Sequence, residues 1–358
     1  MEKDKNMKLY QIVEIMENNN TAGTKAVQDV VKIAEKNGFE PVEIKTWTTR
    51  SSINAKIKRQ LEFKKEWKKA YAQIEEQSIV LVQNPFRIRQ LSRESILKKL
   101  KNEKKVKIIS IIHDVESLRK FCNNAYYEHE FSTMVALADV LIVHNNKMAK
   151  FFEEIGVPKE KLVILKIFDY LQANTNMRTP KFERQITVAG NLDTQKCAYI
   201  GLLPQITGID IQLYGPNFDL SMERYSNIHY GGCFPPDKIP EKLVKGFGLV
   251  WDGTGIDKCR GDAGEYLQYN NPHKLSLYLS SGLPVIIWNG AAEAEFVKKN
   301  GIGIVVDSLL ELSDKLAKIS PEEYNSMQKN TAQLALRLRN GYYTGCALVK
   351  AIDIVERG

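Results

Sequence analysis

The sequence predicts an α/β protein in which two Rossmann-like halves face each other across a cleft. Short apolar runs bounded by turn-forming residues alternate with helical stretches along most of the 358 residues, which is typical of mainly parallel, doubly wound sheets. The alternation breaks once, in a polar stretch without periodicity that we interpret as a linker. A chain of this length also favours two domains. The expected division is 1–168 for the first domain, 169–185 for the linker, 186–340 for the second domain and 341–358 for a C-terminal helix that crosses back to the first.

Each element of the first half has its own local signal. The strands are short runs rich in Val, Ile and Leu, and the helices carry apolar residues three or four positions apart. In chain order we predict strand 8–15, helix 25–37, strand 41–47, helix 53–76, strand 78–83, helix 94–100, strand 106–114, helix 128–138 and strand 139–145.

The second half repeats this pattern after the linker. Its last helix, "YYTGCALVKAIDIVE", is long and amphipathic enough to reach the first domain. In chain order we predict strand 186–192, a helix from about residue 195, strands 209–215 and 227–232, helix 235–244, strand 246–253, a helix from residue 271, strand 285–288, helix 295–301, strand 302–307 and the last helix.

The composition excludes several classes of protein. With 43% hydrophobic and 26% charged residues the chain is an ordinary globular protein, and it has no apolar run long enough for a membrane helix and no secretory signal. Its five cysteines are scattered without metal-binding spacing, so we expect a reducing cytoplasm, neither disulfides nor zinc, and a protein in the cytoplasm or peripheral at the inner membrane face.

The net charge of +8 arises largely from two basic stretches, 56–71 and 97–107. Acidic and apolar residues interrupt the lysines at helical spacing, which favours solvated helix faces over a membrane-surface patch. No zinc-finger, RNP or helix-turn-helix signature accompanies the charge, so we expect no nucleic-acid partner. Attraction of an acidic small substrate is compatible with it.

The most informative segment is "YNNPHKLSLYLSSGLPVIIW", residues 269–288. Asn271 suits an N-cap, Pro272 suits the first helical position, and Ser-Ser-Gly suits the helix end. The free backbone N–H groups near His273, Lys274 and Leu275, together with the Lys274 charge, would then form a pyrophosphate site at a sheet edge. The alternative is that Asn-Pro only caps the helix and that Lys274 is solvated.

This segment is similar to the "N-K-L-x-E-Y-x-A-x-G-x-P-V-I" segment of many GT-B glycosyltransferases. It resembles more closely a bacterial family of glucosyltransferases that add the second sugar to serine-rich-repeat adhesins, together with galactofuranosyltransferase-like enzymes. Other matching stretches occur in consistent order along nearly the whole chain. They are "NNNTAGTKA", "IHDVESLR", "VAGNL", "QLYGP" and "YGGCFPPDKIPEKL".

The resemblance implies a cytoplasmic transferase that moves a hexose, most simply glucose from UDP-glucose, to an acceptor such as GlcNAc on a glycosylated serine-rich adhesin. Galactosyl or galactofuranosyl transfer in surface polysaccharide synthesis is an alternative. A UDP-sugar epimerase and a non-catalytic partner of another transferase are alternatives of other classes. We also expect a homo-oligomer. The chain contains no Asp-x-Asp, so we expect no metal or other cofactor and predict that transfer survives EDTA.

The resemblance also implies donor-binding residues in the second half. Gly190 and Asn191 follow its first strand, where a glycine admits a ligand and an amide can bond phosphate or base, although a plain β-turn is an alternative. Tyr214 ends another strand and could stack on uracil or cover the core. Leu277 stands where the common pattern has a ribose-binding glutamate, so ribose recognition must come from elsewhere.

In the first half, Thr21, Gly23 and Thr24 form a small-residue loop for acceptor or donor phosphate, and a helix N-cap there does not exclude this role. Asp114 follows a strongly apolar strand and is either the general base or a helix cap. The remaining histidines, His129, His144 and His229, are expected to be structural or exposed. The segment "WDGTGIDKCRGDAGEY" is either a mobile loop over the site or a disordered surface loop.

Overall fold

A computed structural model describes residues 7–16, 22–46, 51–86, 88–120, 125–172 and 178–357, without the side chains of residues 16 and 22–24. Within these ranges the chain forms two six-stranded parallel sheets covered by helices, so the predicted fold class is confirmed. The strands are β1 Leu9–Met16, β2 Glu40–Thr46, β3 Ile79–Asn84, β4 Lys107–Ile112, β5 Val140–Val143, β6 Leu162–Ile164, β7 Lys181–Ala189, β8 Asp210–Tyr214, β9 Ile228–Tyr230, β10 Lys245–Val250, β11 Val285–Trp288 and β12 Gly303–Val306.

The helices occupy the connections between these strands and the C-terminal end of the chain. They are α1 Ala22–Lys36, α2 Ile53–Gln73, α3 Arg93–Lys104, α4 Glu116–Arg119, α5 Ala125–Leu137, α6 Asn146–Glu154, α7 Tyr199–Leu202, α8 Gly261–Tyr266, α9 His273–Ser280, α10 Ala294–Asn300, α11 Leu312–Lys318, α12 Pro321–Arg339 and α13 Tyr342–Arg357. Short 3₁₀ helices lie at Lys159–Lys161, Leu203–Gln205, Leu220–Arg224, Ile239–Lys242 and Leu309–Glu311.

Both sheets reverse their strand order next to their first strand. The first sheet runs β2-β1-β3-β4-β5-β6, and the second runs β12-β11-β10-β7-β8-β9. In an open parallel sheet, ligands bind at the carboxyl ends of the strands beside such a reversal. The two positions to search for a site are therefore the carboxyl ends of β1 and β7.

The last helix belongs to the core of the first half. Leu348 and Ala351 of α13 are buried in the same apolar cluster as Val30 and Ile33 of α1. The first half is thus completed by the chain's C-terminal end, after the second half has been built.

Asp169 fixes the start of α13. Its buried carboxylate accepts the backbone N–H groups of Tyr343 at 3.2 Å and Thr344 at 2.6 Å. Burial raises the pKa of Asp169 to about 6, against the hydrogen bonds from Thr344 and Tyr343. Asp169 lies in the stretch predicted as linker, so that stretch also carries a helix cap.

Several predicted boundaries are wrong for local reasons. The strand β7 begins at Lys181, so the last five residues of the predicted linker are strand. The predicted helix 235–244 is only the 3₁₀ turn Ile239–Lys242, because prolines remove the N–H groups that an α-helix needs. The predicted helix from residue 195 shortens to α7, because the Asp193 carbonyl and carboxylate hold the preceding residues in a turn. In the described part of the chain, five helices and one strand have no counterpart among the predicted elements, namely α4, α6, α8, α11, α12 and β6.

Candidate functional site

The candidate site is built where the carboxyl ends of β7 and β10 meet the start of α9. The Tyr278 hydroxyl of α9 accepts the backbone N–H of Ala189, the last residue of β7, at 2.8 Å. Lys274 lies one helical turn earlier on the same face of α9. This hydrogen bond therefore places Lys274 at the edge of the sheet where a ligand is expected.

Lys274 is held by the end of β10. Its Nζ donates to the Trp251 carbonyl at 2.9 Å and lies 3.5 Å from the Asp252 carboxylate. Only 21% of the side chain is exposed, so the alternative in which Lys274 is solvated is wrong. Burial lowers the pKa of Lys274, but the combined electrostatic interactions with Asp252, Tyr199, Tyr278 and Cys197 outweigh it and keep the pKa above its usual value.

The start of α9 differs from the prediction by one residue. Pro272 occupies the N-cap with extended backbone and makes no side-chain cap, so Asn271 is not the N-cap. The Leu275 N–H bonds the Pro272 carbonyl at 2.9 Å and is not free for a ligand. Among the hydrogen bonds of the described residues, none uses the backbone N–H of His273 or Lys274. The predicted phosphate site thus reduces to two backbone donors and one cation.

Asn271 anchors α9 to the first half instead of capping it. Its side-chain amide donates to the Lys166 carbonyl at 3.1 Å, and its backbone N–H donates to His144 Nδ1 at 3.0 Å. His144 in turn bonds the Ile112 carbonyl through Nε2 at 3.0 Å. Burial lowers the pKa of His144 to about 4, which keeps the ring neutral and able to accept this bond.

Asn145 and Glu293 form a second link, which sequence reasoning missed. The Asn145 side-chain amide donates to Glu293 Oε1 at 2.9 Å and to the Tyr269 carbonyl at 3.0 Å. Burial raises the pKa of Glu293 to about 8, so the carboxyl is mostly protonated at neutral pH. No sequence signal marks Glu293, because "AAEAEF" also suits a solvated helix start.

A third cluster brings α1 and the interdomain stretch to the start of α9. The Lys25 Nζ donates to Asp29 at 2.6 Å and to the Leu171 carbonyl at 2.8 Å, and it lies 4.8 Å from the centre of the Tyr170 ring. The Tyr170 ring packs 5.0 Å from the His273 ring. His273 Nε2 is buried at this junction and has no hydrogen-bond partner among the described residues. Lys25 belongs to the stretch "NNNTAGTKA", in which the sequence predicted a role only for Thr21, Gly23 and Thr24.

Gly190 directly follows β7 and lies beside the end of its parallel neighbour β8. Its N–H bonds the Tyr214 carbonyl at 3.0 Å, and a Cβ on Gly215 would lie 1.7 Å from the Gly190 carbonyl oxygen. Asn191 is exposed, and its side-chain oxygen accepts the Asn217 amide at 2.8 Å. The two residues therefore form a glycine-dependent turn that leaves open space above Gly190.

Tyr214 packs on protein in this structure. Its half-buried ring lies over Gly231, where a Cβ would approach a ring carbon to 2.1 Å, and it meets Phe234 at 6.0 Å between ring centres. The ring covers the edge of the second core. Stacking on a base would use the remaining exposed part of the ring.

Asp114 lies at a contact between the halves. Arg119 Nη1 donates to its carboxylate at 2.9 Å, and the adjacent Val115 N–H donates to the hydroxyl of Tyr266 in α8 at 2.9 Å. Burial raises the pKa of Asp114 to about 6, against the attraction of Arg119. The helix α4 has Val115 at its N-cap without a side-chain cap, so the capping alternative for Asp114 is wrong.

The remaining predicted residues fall into three groups. Thr21 lies outside the described residues, and the structure describes only the backbone of Gly23 and Thr24. His144 is structural, as expected, whereas His129 and His229 are exposed beside Glu94 and Asp210. In the described ranges, no three His, Cys, Asp or Glu side chains are grouped as metal ligands.

The glycine-rich segment after β10 is not a disordered surface loop. Trp251, Ile256 and Cys259 are buried in the core of the second half, and the Trp251 indole donates to the Gly255 carbonyl at 2.8 Å. The segment continues into α8, whose Gly264 packs closely against the Asp252 carbonyl. It therefore forms a packed wall that presents Asp252 to Lys274.

Comparison with protein families matches both halves to one family. Residues 9–167 match the glucosyltransferase 3-like N-terminal domain, and residues 186–351 match the corresponding C-terminal domain. A β-1,6-galactofuranosyltransferase, WbbI of Escherichia coli K12, is 35% identical over 70% of this chain and 72% of its own length. Glucosyltransferase 3 of Streptococcus gordonii is 26% identical over 91% of this chain and 93% of its own.

Solved structures share the fold at low identity. A sucrose-phosphate synthase from Thermosynechococcus elongatus superposes with a TM-score of 0.62 at 11% identity, covering 97% of this chain and 99% of its own. HepE of Anabaena, solved with UDP and glucose, superposes with a TM-score of 0.57 at 11% identity, covering 98% of this chain and 99% of its own. The two-domain fold is that of the GT-B glycosyltransferases.

Proposed function

Because this chain belongs to the glucosyltransferase 3-like family and is a glycosyltransferase, we propose that it transfers a hexose from a UDP-sugar to a saccharide acceptor. The donor we favour is UDP-glucose, and the acceptor is a sugar such as GlcNAc on a glycosylated serine-rich protein. Similarity to glucosyltransferase 3 of S. gordonii over 91% of this chain supports this choice.

The observation that carries the proposal is Lys274 at the start of α9, between the ends of β7 and β10. A nearly buried cation beside two unused backbone N–H groups suits the diphosphate of a nucleotide sugar. The same groups would stabilise the negative charge on the departing UDP. The turn at Gly190 and Asn191 and the edge of Tyr214 are the proposed neighbours of the nucleoside.

On the acceptor side we propose Asp114 as the general base. The acceptor hydroxyl would lose its proton to the Asp114 carboxylate while its oxygen bonds the anomeric carbon, and the bond from that carbon to the UDP oxygen breaks. A carboxyl with a pKa of about 6 is mostly ionised at neutral pH, yet basic enough to take a proton. Thr21, Gly23 and Thr24 remain proposed contacts of acceptor or phosphate.

Galactofuranosyl transfer is the second candidate, and a specific observation favours it. The galactofuranosyltransferase relative is the more identical of the two, at 35% against 26%, although over a smaller share of the chain. The two candidates differ in the donor sugar and in the acceptor, which would then be a growing surface polysaccharide.

One assay separates the candidates. Purified protein is incubated with a panel of UDP-sugars that includes UDP-glucose and UDP-galactofuranose. Each donor is offered without acceptor, with a GlcNAc-bearing glycopeptide or with a surface-polysaccharide acceptor, and both free UDP and glycosylated product are measured. We expect UDP release from UDP-glucose only when the acceptor is present. Product formed only from UDP-galactofuranose and the polysaccharide acceptor would instead favour the second candidate. Interconversion of UDP-sugars without acceptor, or inactivity on every pair of donor and acceptor, would contradict the proposal.

A further inference from the structure

The outer face of α2 carries an exposed apolar ridge. Ile53, Ile57 and Leu61 follow one another at four-residue spacing and are 77%, 56% and 63% exposed. Leu91, 63% exposed, lies beside them because its N–H donates to the Gln60 side chain at 3.0 Å. We call these four residues the α2 surface. Single exposed apolar residues are ordinary, but a row of neighbours marks an interaction site.

Basic residues surround and extend the α2 surface. The helix carries seven lysines and arginines against two glutamates. The four-residue row of the ridge continues with the exposed Lys65 and Lys69, and the exposed lysines 58, 64 and 68 flank it. The opposite face of α2 is buried through Phe63, Trp67 and Ala70, so the helix cannot turn its apolar ridge inward.

The α2 surface lies at the cleft side of the first half. The apolar ridge occupies the N-terminal part of α2, which follows the carboxyl end of β2. Residues 89–91 follow the carboxyl end of β3 and are tied to α2, because the Gln60 amide donates to the Arg89 carbonyl at 2.7 Å. The carboxyl ends of the strands face the cleft, so the ridge borders the proposed acceptor side.

We propose that the α2 surface docks the protein on an anionic lipid membrane. Ile53, Ile57 and Leu61 enter the boundary between headgroups and acyl chains, and the lysines beside them bind lipid phosphates. An apolar row with a dense basic border matches this interface in both chemistry and charge sign. Two alternatives do not explain the apolar row. A solvated helix face does not require exposed apolar residues in a row, and a nucleic-acid surface requires the lysines but not the apolar row. Docking would bring the acceptor side of the cleft to the membrane surface.

Vesicle flotation tests the docking. The full chain is mixed with phosphatidylcholine vesicles, with or without phosphatidylglycerol, at low and high salt. We expect flotation only with phosphatidylglycerol, and weaker flotation at high salt. Replacing Ile53, Ile57 and Leu61 by Ser should weaken binding about tenfold or more.

Matched variants separate docking from general effects. Replacing Leu310, Leu336 and Val349 by Ser removes three comparably exposed apolar side chains elsewhere, and this control should float like the parent. Replacing any one of Lys58, Lys64, Lys65 and Lys68 by Gln should weaken binding to anionic vesicles about fivefold. UDP affinity and melting temperature are measured for every variant, and we expect both to match the parent. A defect in the donor site or in folding is thereby distinguished from a loss of membrane docking.

Several results would overturn the proposal. One is a parent that fails to float with anionic vesicles at low salt. Another is an Ile53, Ile57 and Leu61 variant that floats like the parent. Equal losses in this variant and in its control would show a nonspecific effect. Binding of a polyanion such as heparin that depends on the lysines alone, without flotation, would assign the surface to a different partner.

Discussion

Lys274 combines two properties that a free surface lysine does not have. It is nearly buried at the edge of the sheet, and the Trp251 carbonyl and the Asp252 carboxylate fix its ammonium group. The side-chain entropy that Lys274 would otherwise lose on binding a phosphate is therefore already lost on folding.

Lys274→Ala should weaken UDP binding about tenfold or more, because a charge-assisted hydrogen bond contributes roughly 1.5–3 kcal/mol. Calorimetric titration of UDP measures the change. Lys315→Ala is the matched control, since Lys315 also donates to a strand-end carbonyl, Val305, at 3.0 Å and pairs with a carboxylate, Glu311, at 3.3 Å. If Lys274→Ala binds UDP as tightly as Lys315→Ala does, the donor site lies elsewhere.

Asp114 makes a prediction about pH. If its carboxylate is the base, kcat/KM should rise with pH to a plateau. It should reach half of the plateau value near the Asp114 pKa of about 6. Asp114→Asn should lose about a hundredfold or more in kcat and should also lose this inflection. Asp139→Asn is the control, because Asp139 pairs with Lys101 at 2.6 Å in the same half without facing α8. An Asp114→Asn enzyme with the parent's kcat would exclude Asp114 as the base.

At the scale of elements, α9 is joined to both halves at once. Tyr278 ties it to β7, and Asn271 ties its start to His144 at the end of β5. If the start of α9 binds the donor diphosphate as proposed, the ligand and the first half would both contact the same end of this helix. Donor binding could then be coupled to the position of the two halves.

Asn271→Ala tests this anchoring. The variant removes the bond to the Lys166 carbonyl, so we expect a loss of about 1 kcal/mol in stability together with weaker UDP binding. Asn227→Ala removes a comparable bond, from a side-chain amide to the Ile206 carbonyl at 2.8 Å, away from the proposed site. Asn227→Ala should lower stability by a similar amount and leave UDP affinity unchanged. Thermal melts and UDP titrations are carried out on both variants. An equal effect of Asn271→Ala and Asn227→Ala on UDP affinity would contradict the anchoring role of Asn271.

The elements themselves were largely predictable from sequence, whereas their connections across the chain were not. Apolar runs such as "KIISII" and "GFGLV" indicate buried strands, because they are too short for an ordinary helix and are bounded by polar or turn-forming residues. Asn271 suited an N-cap equally well by local chemistry, and only the carbonyl of Lys166, over a hundred residues away in sequence, directs its amide elsewhere. Glu293 was missed for the same reason, since its partner Asn145 belongs to the other half.

At the scale of the whole molecule, the chain crosses between its halves twice. Residues around Asp169 lead from the first half to β7, and α13 returns from α12 into the first core. We propose that residues 1–168 with α13 form one domain and that the second domain ends at about residue 340. Among the described residues no helix is both long and apolar enough to cross a membrane.

Leu348→Ala tests whether α13 is part of the first core. Leu348 is fully buried against α1, so the cavity should cost about 2–5 kcal/mol of stability. Val349→Ala is the matched control on the next residue, which is 58% exposed, and it should change stability by less than about 0.5 kcal/mol. Denaturant unfolding measures both variants. Because the cavity lies in the first half, UDP affinity in the native baseline should not change. Equal stability of the two variants would mean that α13 only rests on the first half, whereas a loss confined to Leu348→Ala makes the C-terminal helix a structural part of the domain that begins the chain.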